Sequence, residues 1–164
     1  MVIEKLSKEE ILHILSEIPD PEIPVINIYE MGIIRDVVFE NETCIVTITP
    51  TYTGCPAMGL IEDMIKEKLK QHGIANTKIN MVYSPAWTTD WMSHATKEKL
   101  RAYGIAPPVE SSCKKCTTCS CVEVSCPLCK STKTELISQF GSTACKSLYK
   151  CNSCKEPFEY FKSH

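Results

Sequence analysis

The sequence predicts a mixed α/β (α+β) fold: a small domain of order α-β-β-α-β-α followed by a cysteine-rich C-terminal module. Three observations lead there. Apolar runs at helical spacing alternate with β-branched runs up to about residue 106. Pro107-Pro108 and a polar stretch then break the pattern, since consecutive prolines stop a helix and favour an extended linker. Nine of the eleven cysteines lie beyond residue 112. The expected division is 1–106, a cysteine-rich linker 107–124, and 125–164.

Ser7 with Glu10 makes a capping-box pattern, and Ile11, Ile14, Leu15 and Ile18 follow at helical spacing, so a first helix is expected over Glu9 to Ile18, before Pro21. Ile33 to Phe39 and Thr43 to Ile48 read as two strands of a hairpin around Glu40-Asn41-Glu42. After Gly54-Cys55-Pro56, residues Met58, Ile61, Ile65 and Leu69 share one helical face, with Gly73 as a stop, which predicts a helix over Pro56 to His72. Lys78 to Ser84 alternates as a strand, and a last helix is expected from Ser93 as N-cap to Tyr103-Gly104.

The 164 residues are 43% hydrophobic and 23% charged, which excludes disordered and fibrous classes. The N-terminus carries acidic residues where a signal peptide needs basic and apolar ones, and no stretch reaches the roughly 18 apolar residues of a membrane span. A cytoplasmic protein without membrane partners is expected. In a reducing compartment CxxC pairs are metal ligands or redox centres more often than disulfides. Residues 1–112 carry 10 Lys+Arg against 16 Asp+Glu, and residues 113–164 carry 8 against 4. Zn²⁺ on four thiolates would cut the tail's surplus to about +2, a weak footprint for nucleic acid, and the tail has no Arg to read bases.

Cys126-Pro-Leu-Cys129 and Cys151-Asn-Ser-Cys154 are two C-x2-C pairs 21 residues apart, close to the spacing of structural zinc sites. Each turn aims two sulfurs at one point, and Thr132 to Tyr149 is long enough for a hairpin that brings the turns together, as in a zinc ribbon. Four protein ligands leave no open position, so the Zn²⁺ is expected to be structural. Neither pair lies between a strand and a helix, which argues against thioredoxin-like redox work. Cys113, Cys116, Cys119 and Cys121 form a C-x2-C-x2-C-x-C run that offers a second soft-metal site, but a clean tetrahedron from so short a segment is difficult, and flexible thiols are favoured. Cys145 is not expected to be a ligand, and Cys44, inside a strand, is expected in the core.

Cys55 directly precedes Pro56, whose fixed φ suits the first helical position, so Cys55 is expected as N-cap. Free amides and the helix dipole would then lower its pKa and favour nucleophilic or metal-binding chemistry. The spacing alone fits a buried small hydrophobe equally well. Asp20-Pro21-Glu22 places two carboxylates in a loop after the first helix, too few for a metal site, and ordinary turn residues account for them. The four histidines are scattered. No catalytic set, phosphate loop or nucleotide fingerprint is present.

The segments Asp20-Pro-Glu-Ile-Pro-Val, Thr51-Tyr-Thr-Gly-Cys55-Pro-Ala-Met and Pro85-Ala-Trp-Thr-Thr-Asp-Trp-Met-Ser resemble the small domain of SufT-like iron–sulfur assembly factors. With Phe140-Gly-Ser-Thr-Ala-Cys145-Lys and Cys151-x-x-Cys-x-Glu-Pro-Phe, the chain resembles, over nearly its whole length, the PaaD (PaaJ) family of phenylacetate degradation. The resemblance implies an accessory or maturation factor of the phenylacetyl-CoA 1,2-epoxidase system, whose oxygenase has a diiron centre and whose reductase carries an iron–sulfur cluster. It implies help in iron–sulfur cluster assembly or delivery, with no catalysis of its own. Cys55 matches the family's motif cysteine, and Asp20 and Glu22 its acidic motif. The implied cargo is an iron–sulfur cluster or iron in transit, and the implied partners are the epoxidase subunits or the assembly machinery. The Cys113 to Cys121 run is not part of that pattern. A structural subunit of the epoxidase complex and a nucleic-acid-binding ribbon are the competing readings, and homo-oligomerisation is left open.

Overall fold

The computed structural model describes residues 6–109 and 123–162. The Cys113 to Cys121 run lies outside the described residues. The chain divides into two compact units, the first ending at Trp87 and the second beginning at Thr88.

In the first unit, α1 (Lys8–Ser16) starts at the expected capping box: the Ser7 hydroxyl accepts the Glu10 N–H at 3.2 Å and the Glu10 carboxylate accepts the Ser7 N–H at 2.7 Å. Strands β1 (Ile34–Glu40) and β2 (Thr43–Ile48) form the expected hairpin, closing at Asn41 with φ 56°, a left-handed position that Asn tolerates. Helix α2 (Ala57–Gln71) then returns the chain so that β3 (Thr77–Met81) pairs parallel to β2, giving the order β1-β2-β3. Parallel neighbours need such a crossover.

The alternation along the central strand β2 turns Cys44, Val46 and Ile48 inward, each fully buried. The apolar stripe of α2, Met58, Ile61, Ile65 and Leu69, is buried at the predicted spacing. Cys44 is thus core, and burial pushes its thiol pKa up. Truncating one of these fully buried side chains, such as Ile65→Ala, costs about 2–5 kcal/mol.

The second unit holds a 3-10 turn (Thr89–Trp91), α3 (His94–Ala102) capped by the Ser93 hydroxyl, and four strands: β4 (Ile105–Ala106), β5 (Thr134–Ser138), β6 (Lys146–Cys151) and β7 (Pro157–Phe161). Their order is β4-β7-β6-β5. The expected hairpin between the two CxxC pairs is β5–β6, with a register shift between Leu136 and Ser138. Ala106, Val124, Phe158 and Tyr160 pack with Cys126 and Cys151, and Tyr149 stacks on Phe158 with centroids 5.9 Å apart.

The two compact units divide between Trp87 and Thr88. Ile105 and Ala106 pair parallel with Glu159 and Tyr160 of β7, so the segment just before Pro107 adds an edge strand to the ribbon sheet. That pairing is non-local and leaves no periodic trace. Among the described residues no helix is long and apolar enough to cross a membrane.

Candidate functional site

The loop after α1 is closed at its base: the Ile28 N–H donates to the Ile18 carbonyl at 3.1 Å and the Asp20 N–H to the Ile26 carbonyl at 2.9 Å. Asp20 is 5% exposed, and its Oδ1 accepts the N–H groups of Glu22 at 2.9 Å and Ile23 at 2.8 Å. This is an Asx-type turn, in which the side chain replaces a backbone acceptor. The Asp20 carboxylate therefore shapes the loop, whose Ile23 and Ile26 are fully buried, and the neighbouring Glu22 is half-buried.

Cys55 ends the turn Thr51 to Gly54, in which Gly54 takes φ 86° and the Cys55 N–H donates to the Tyr52 carbonyl at 3.2 Å. Helix α2 begins one residue later than the sequence suggests: Pro56, not Cys55, is the N-cap, with φ −69° and ψ −21°, and no side chain caps the helix. Proline's pre-set φ suits the helical conformation at this flanking position too, so the spacing did not fix which residue is the cap.

The expected lowering of the Cys55 pKa is overturned. Burial pushes the thiol above its ordinary value, more than the Ala57 N–H lowers it; the Glu22 carboxylate raises it further, and the Thr51 and Tyr52 side chains oppose. The structure brings Cys55 and Glu22, 33 positions apart in sequence, into one electrostatic neighbourhood. No spacing rule links the two residues. The first turn of α2 contains no acid, and Leu60 is 53% exposed there.

In the second unit the Sγ atoms of Cys126, Cys129, Cys151 and Cys154 all lie within 4.8 Å of one another. Cys126 and Cys154 are 3.8 Å apart and Cys129 and Cys151 3.5 Å. A tetrahedron with Zn–S arms of about 2.3 Å has edges of about 3.8 Å, so the donor set fits Zn²⁺ in size and in chemistry. The two CxxC turns are built alike: the Lys130 N–H donates to the Cys126 carbonyl and the Lys155 N–H to the Cys151 carbonyl, each at 2.9 Å, and both lysines take left-handed φ, 63° and 69°. That conformation strains a non-glycine residue by roughly 1–2 kcal/mol.

The Cys154 N–H helps to hold the Cys151 thiol down at about 6, while Cys154 is pushed up to about 12: the Glu156 N–H and burial act on it in opposite directions, and the neighbouring sulfurs add to the rise. Crowded sulfurs shed their first proton readily and the later ones with difficulty, and a dication removes that obstacle. Cys145 is buried, with its Sγ 3.0 Å from the Thr143 hydroxyl.

A family model described as the PaaD zinc beta ribbon domain matches residues 110–162, a span that includes the Cys113 to Cys121 run. A second, described as an iron-sulfur cluster assembly protein, matches residues 8–80. A protein of Escherichia coli (strain K12), provisionally named as one of the subunits of 1,2-phenylacetyl-CoA epoxidase, is 48% identical over 153 residues, 93% of this chain and 91% of the relative. The chain belongs to the PaaD family.

Its N-terminal part has further relatives. An Fe-S protein maturation auxiliary factor of Porphyromonas gingivalis (strain ATCC BAA-308 / W83) is 36% identical over 96 residues, 57% of this PaaD-family chain and 90% of that protein. The factor SufT of Staphylococcus aureus (strain USA300) is 39% identical over 83 residues, 49% and 93% of the two chains. Among solved structures, a domain of unknown function DUF59 from Bacillus anthracis superposes with TM-score 0.52 at 29% identity, covering 57% of this chain and 90% of that one. The assembly-protein model thus matches within the first unit, whose mixed fold is shared with the DUF59 structure, and the zinc-ribbon model matches the C-terminal part of the PaaD-family chain.

Proposed function

We propose that the chain is a cytoplasmic, non-catalytic accessory factor of the phenylacetyl-CoA 1,2-epoxidase system that assists iron–sulfur cluster assembly or delivery. Cys55 is its functional thiol, Glu22 acts beside it, and Cys126, Cys129, Cys151 and Cys154 hold one structural Zn²⁺. The assembly-like part and the ribbon are separate functional modules that engage a client, either an epoxidase oxygenase or reductase subunit or the assembly machinery.

What supports this reading is the match of residues 8–80 to an iron-sulfur cluster assembly model, with a half-buried Cys55 just before α2 inside that stretch and within electrostatic reach of Glu22. A thiol kept protonated at rest resists adventitious alkylation and oxidation. When its sulfur takes iron the proton must leave, so uptake of iron should be favoured as pH rises. A single protein thiolate leaves most of the iron's coordination to the cargo and the client, as a transient carrier requires. Asp20 supports this by holding the loop through its Oδ1.

The name of the Escherichia coli relative favours a second reading, a stoichiometric subunit in which Cys55 only packs. Cells carrying Cys55→Ala as their only copy separate the two. The half-buried site makes a folding defect small, about 1 kcal/mol. A carrier predicts folded protein, loss of cluster-loaded epoxidase activity, and loss of iron and sulfide from anaerobically purified chain. Undiminished activity with stoichiometric co-purification overturns the carrier reading.

A further inference from the structure

We propose that the ribbon carries a peroxide-responsive modification site: the exposed Cys129 sulfur reacts first, joins Cys151 in a disulfide, and Zn²⁺ is released. This rests on the structural Zn²⁺ given above and names how that site is regulated.

The four sulfurs lie close together but are unequally covered. Cys126 and Cys151 are buried, Cys154 is half-buried and Cys129 is exposed, with Leu128 beside it 61% exposed. A cysteine that coordinates a dication is held as thiolate, the nucleophilic form. Burial keeps reagents from Cys126 and Cys151, so an oxidant arriving from solvent meets Cys129 before them.

Charge separates Cys129 from the half-buried Cys154. Residues 124–134 around Cys129 contain Lys130 and Lys133 and no acid, whereas the turn of Cys154 runs into Lys155-Glu156. Lys130 is exposed and keeps a left-handed φ of 63° directly after Cys129, where glycine would sit with less strain. A cation beside an accessible thiolate is the setting of reactive rather than inert cysteines.

Geometry sets the partner. Cys129 Sγ lies 3.5 Å from Cys151 Sγ, across the two turns. Those turns are also tied to each other through groups that need no metal: the Asn152 N–H donates to the Lys133 carbonyl at 2.7 Å, and the Ser131 and Ser153 hydroxyls lie 2.8 Å apart. These ties keep Cys129 facing Cys151 while the ligand set changes.

The Cys129 thiolate attacks one oxygen of hydrogen peroxide, the O–O bond breaks, and a sulfenic acid and a hydroxide form. The Cys151 thiolate then attacks the Cys129 sulfur, the S–O bond breaks, and a second hydroxide leaves. Two solvent protons convert the hydroxides to water, and the two electrons that reduce the peroxide come from the two thiolates. Cys126 and Cys154 alone are too few to hold Zn²⁺ in a closed tetrahedral site, and the sheet that depends on it loosens.

The test assays the zinc-loaded full chain for metal, treats it with hydrogen peroxide beside a chromogenic zinc chelator, and blocks the remaining thiols with N-ethylmaleimide for peptide mapping. Zn²⁺ should be released in step with a Cys129–Cys151 disulfide, with Cys126 and Cys154 recovered as alkylated thiols, and dithiothreitol with added zinc should reverse the change. Without peroxide, N-ethylmaleimide should label Cys129 at least about tenfold faster than Cys126 or Cys151. Lys130→Glu should slow peroxide-driven release by about threefold or more with the initial zinc content unchanged. Zinc retained after Cys55 has been oxidised, a disulfide within either CxxC turn or between Cys129 and the Cys113 to Cys121 run, or equal labelling of the four ligands overturns the proposal. The metal assay before peroxide tells its failure from that of the zinc assignment, because a chain without Zn²⁺ at the outset overturns both. Cys55→Ser should release zinc at the parent rate, so a carrier reading that fails in cells leaves this result intact.

Discussion

Lys146 and Glu159 form an ion pair of 2.9 Å in which the lysine side chain is only 5% exposed and the glutamate 24%. Burial alone would raise the Glu159 pKa, but the Ser142 N–H and the Lys146 ammonium outweigh it and leave the carboxyl below its ordinary value. Glu159→Gln removes one partner from beneath the Gly141 loop and should cost about 2–3 kcal/mol in urea unfolding of the zinc-loaded protein. A depressed folded pKa stabilises above the unfolded value, near 4.5, and that stability is lost as pH falls through the folded value. The gap between parent and variant should therefore be full at neutral pH and shrink below about pH 4.5.

Elemental analysis should find one Zn²⁺ per chain. Cys126→Ser combined with Cys151→Ser takes one sulfur from each CxxC turn, and should abolish tight binding and unfold β5 to β7, because a sheet this small has little core besides the metal. Amide exchange would show the loss in the second unit, with β1 to β3 unaffected. Retention of zinc and of protection in the double variant would show that the ligands are misassigned.

Alkylation of Cys55 by iodoacetamide, followed by peptide mass spectrometry, should reach half its maximal rate above the pH of an ordinary thiol, since burial and the Glu22 carboxylate both disfavour thiolate. Glu22→Gln removes the like charge and should shift the profile toward lower pH, raising the rate at neutral pH. A profile already saturated at neutral pH would restore the activated thiolate expected from the sequence.

Asp20→Ala deletes the acceptor of two loop amides at a 5% exposed position and should destabilise the first unit by about 2–3 kcal/mol. Asp20→Asn keeps an oxygen there and should recover most of that stability. If both variants keep full stability and both lose function, Asp20 acts in the chemistry and not in the shape of the loop.

The sequence and the structure agree most closely where the determinants are local. The Ser7 capping box, the alternation of β2 and the α2 stripe from Met58 to Leu69 each depend on neighbours within a few residues, and each was legible. So was the four-cysteine cluster, because a CxxC turn aims its own two sulfurs and the hairpin between the pairs needs only sufficient length. Where one residue decided the outcome, legibility ended: proline is at home both as a cap and at the first helical position, and the cap moved from Cys55 to Pro56.

By itself, then, the sequence determined the order of helices and strands, the sulfur set and the resemblance to an assembly-factor domain with a ribbon attached. Tertiary structure alone decided that Ile105 and Ala106 join the ribbon sheet, that burial, with the Glu22 charge adding to it, disfavours the Cys55 thiolate, and that Lys146 and Glu159 underpin the loop bearing Phe140. The physical reason is the range of the forces involved. Periodicity and capping act within a turn or a strand, whereas electrostatic neighbourhoods and sheet edges arise only when distant segments have been packed together, and no spacing along the chain encodes which of them will meet.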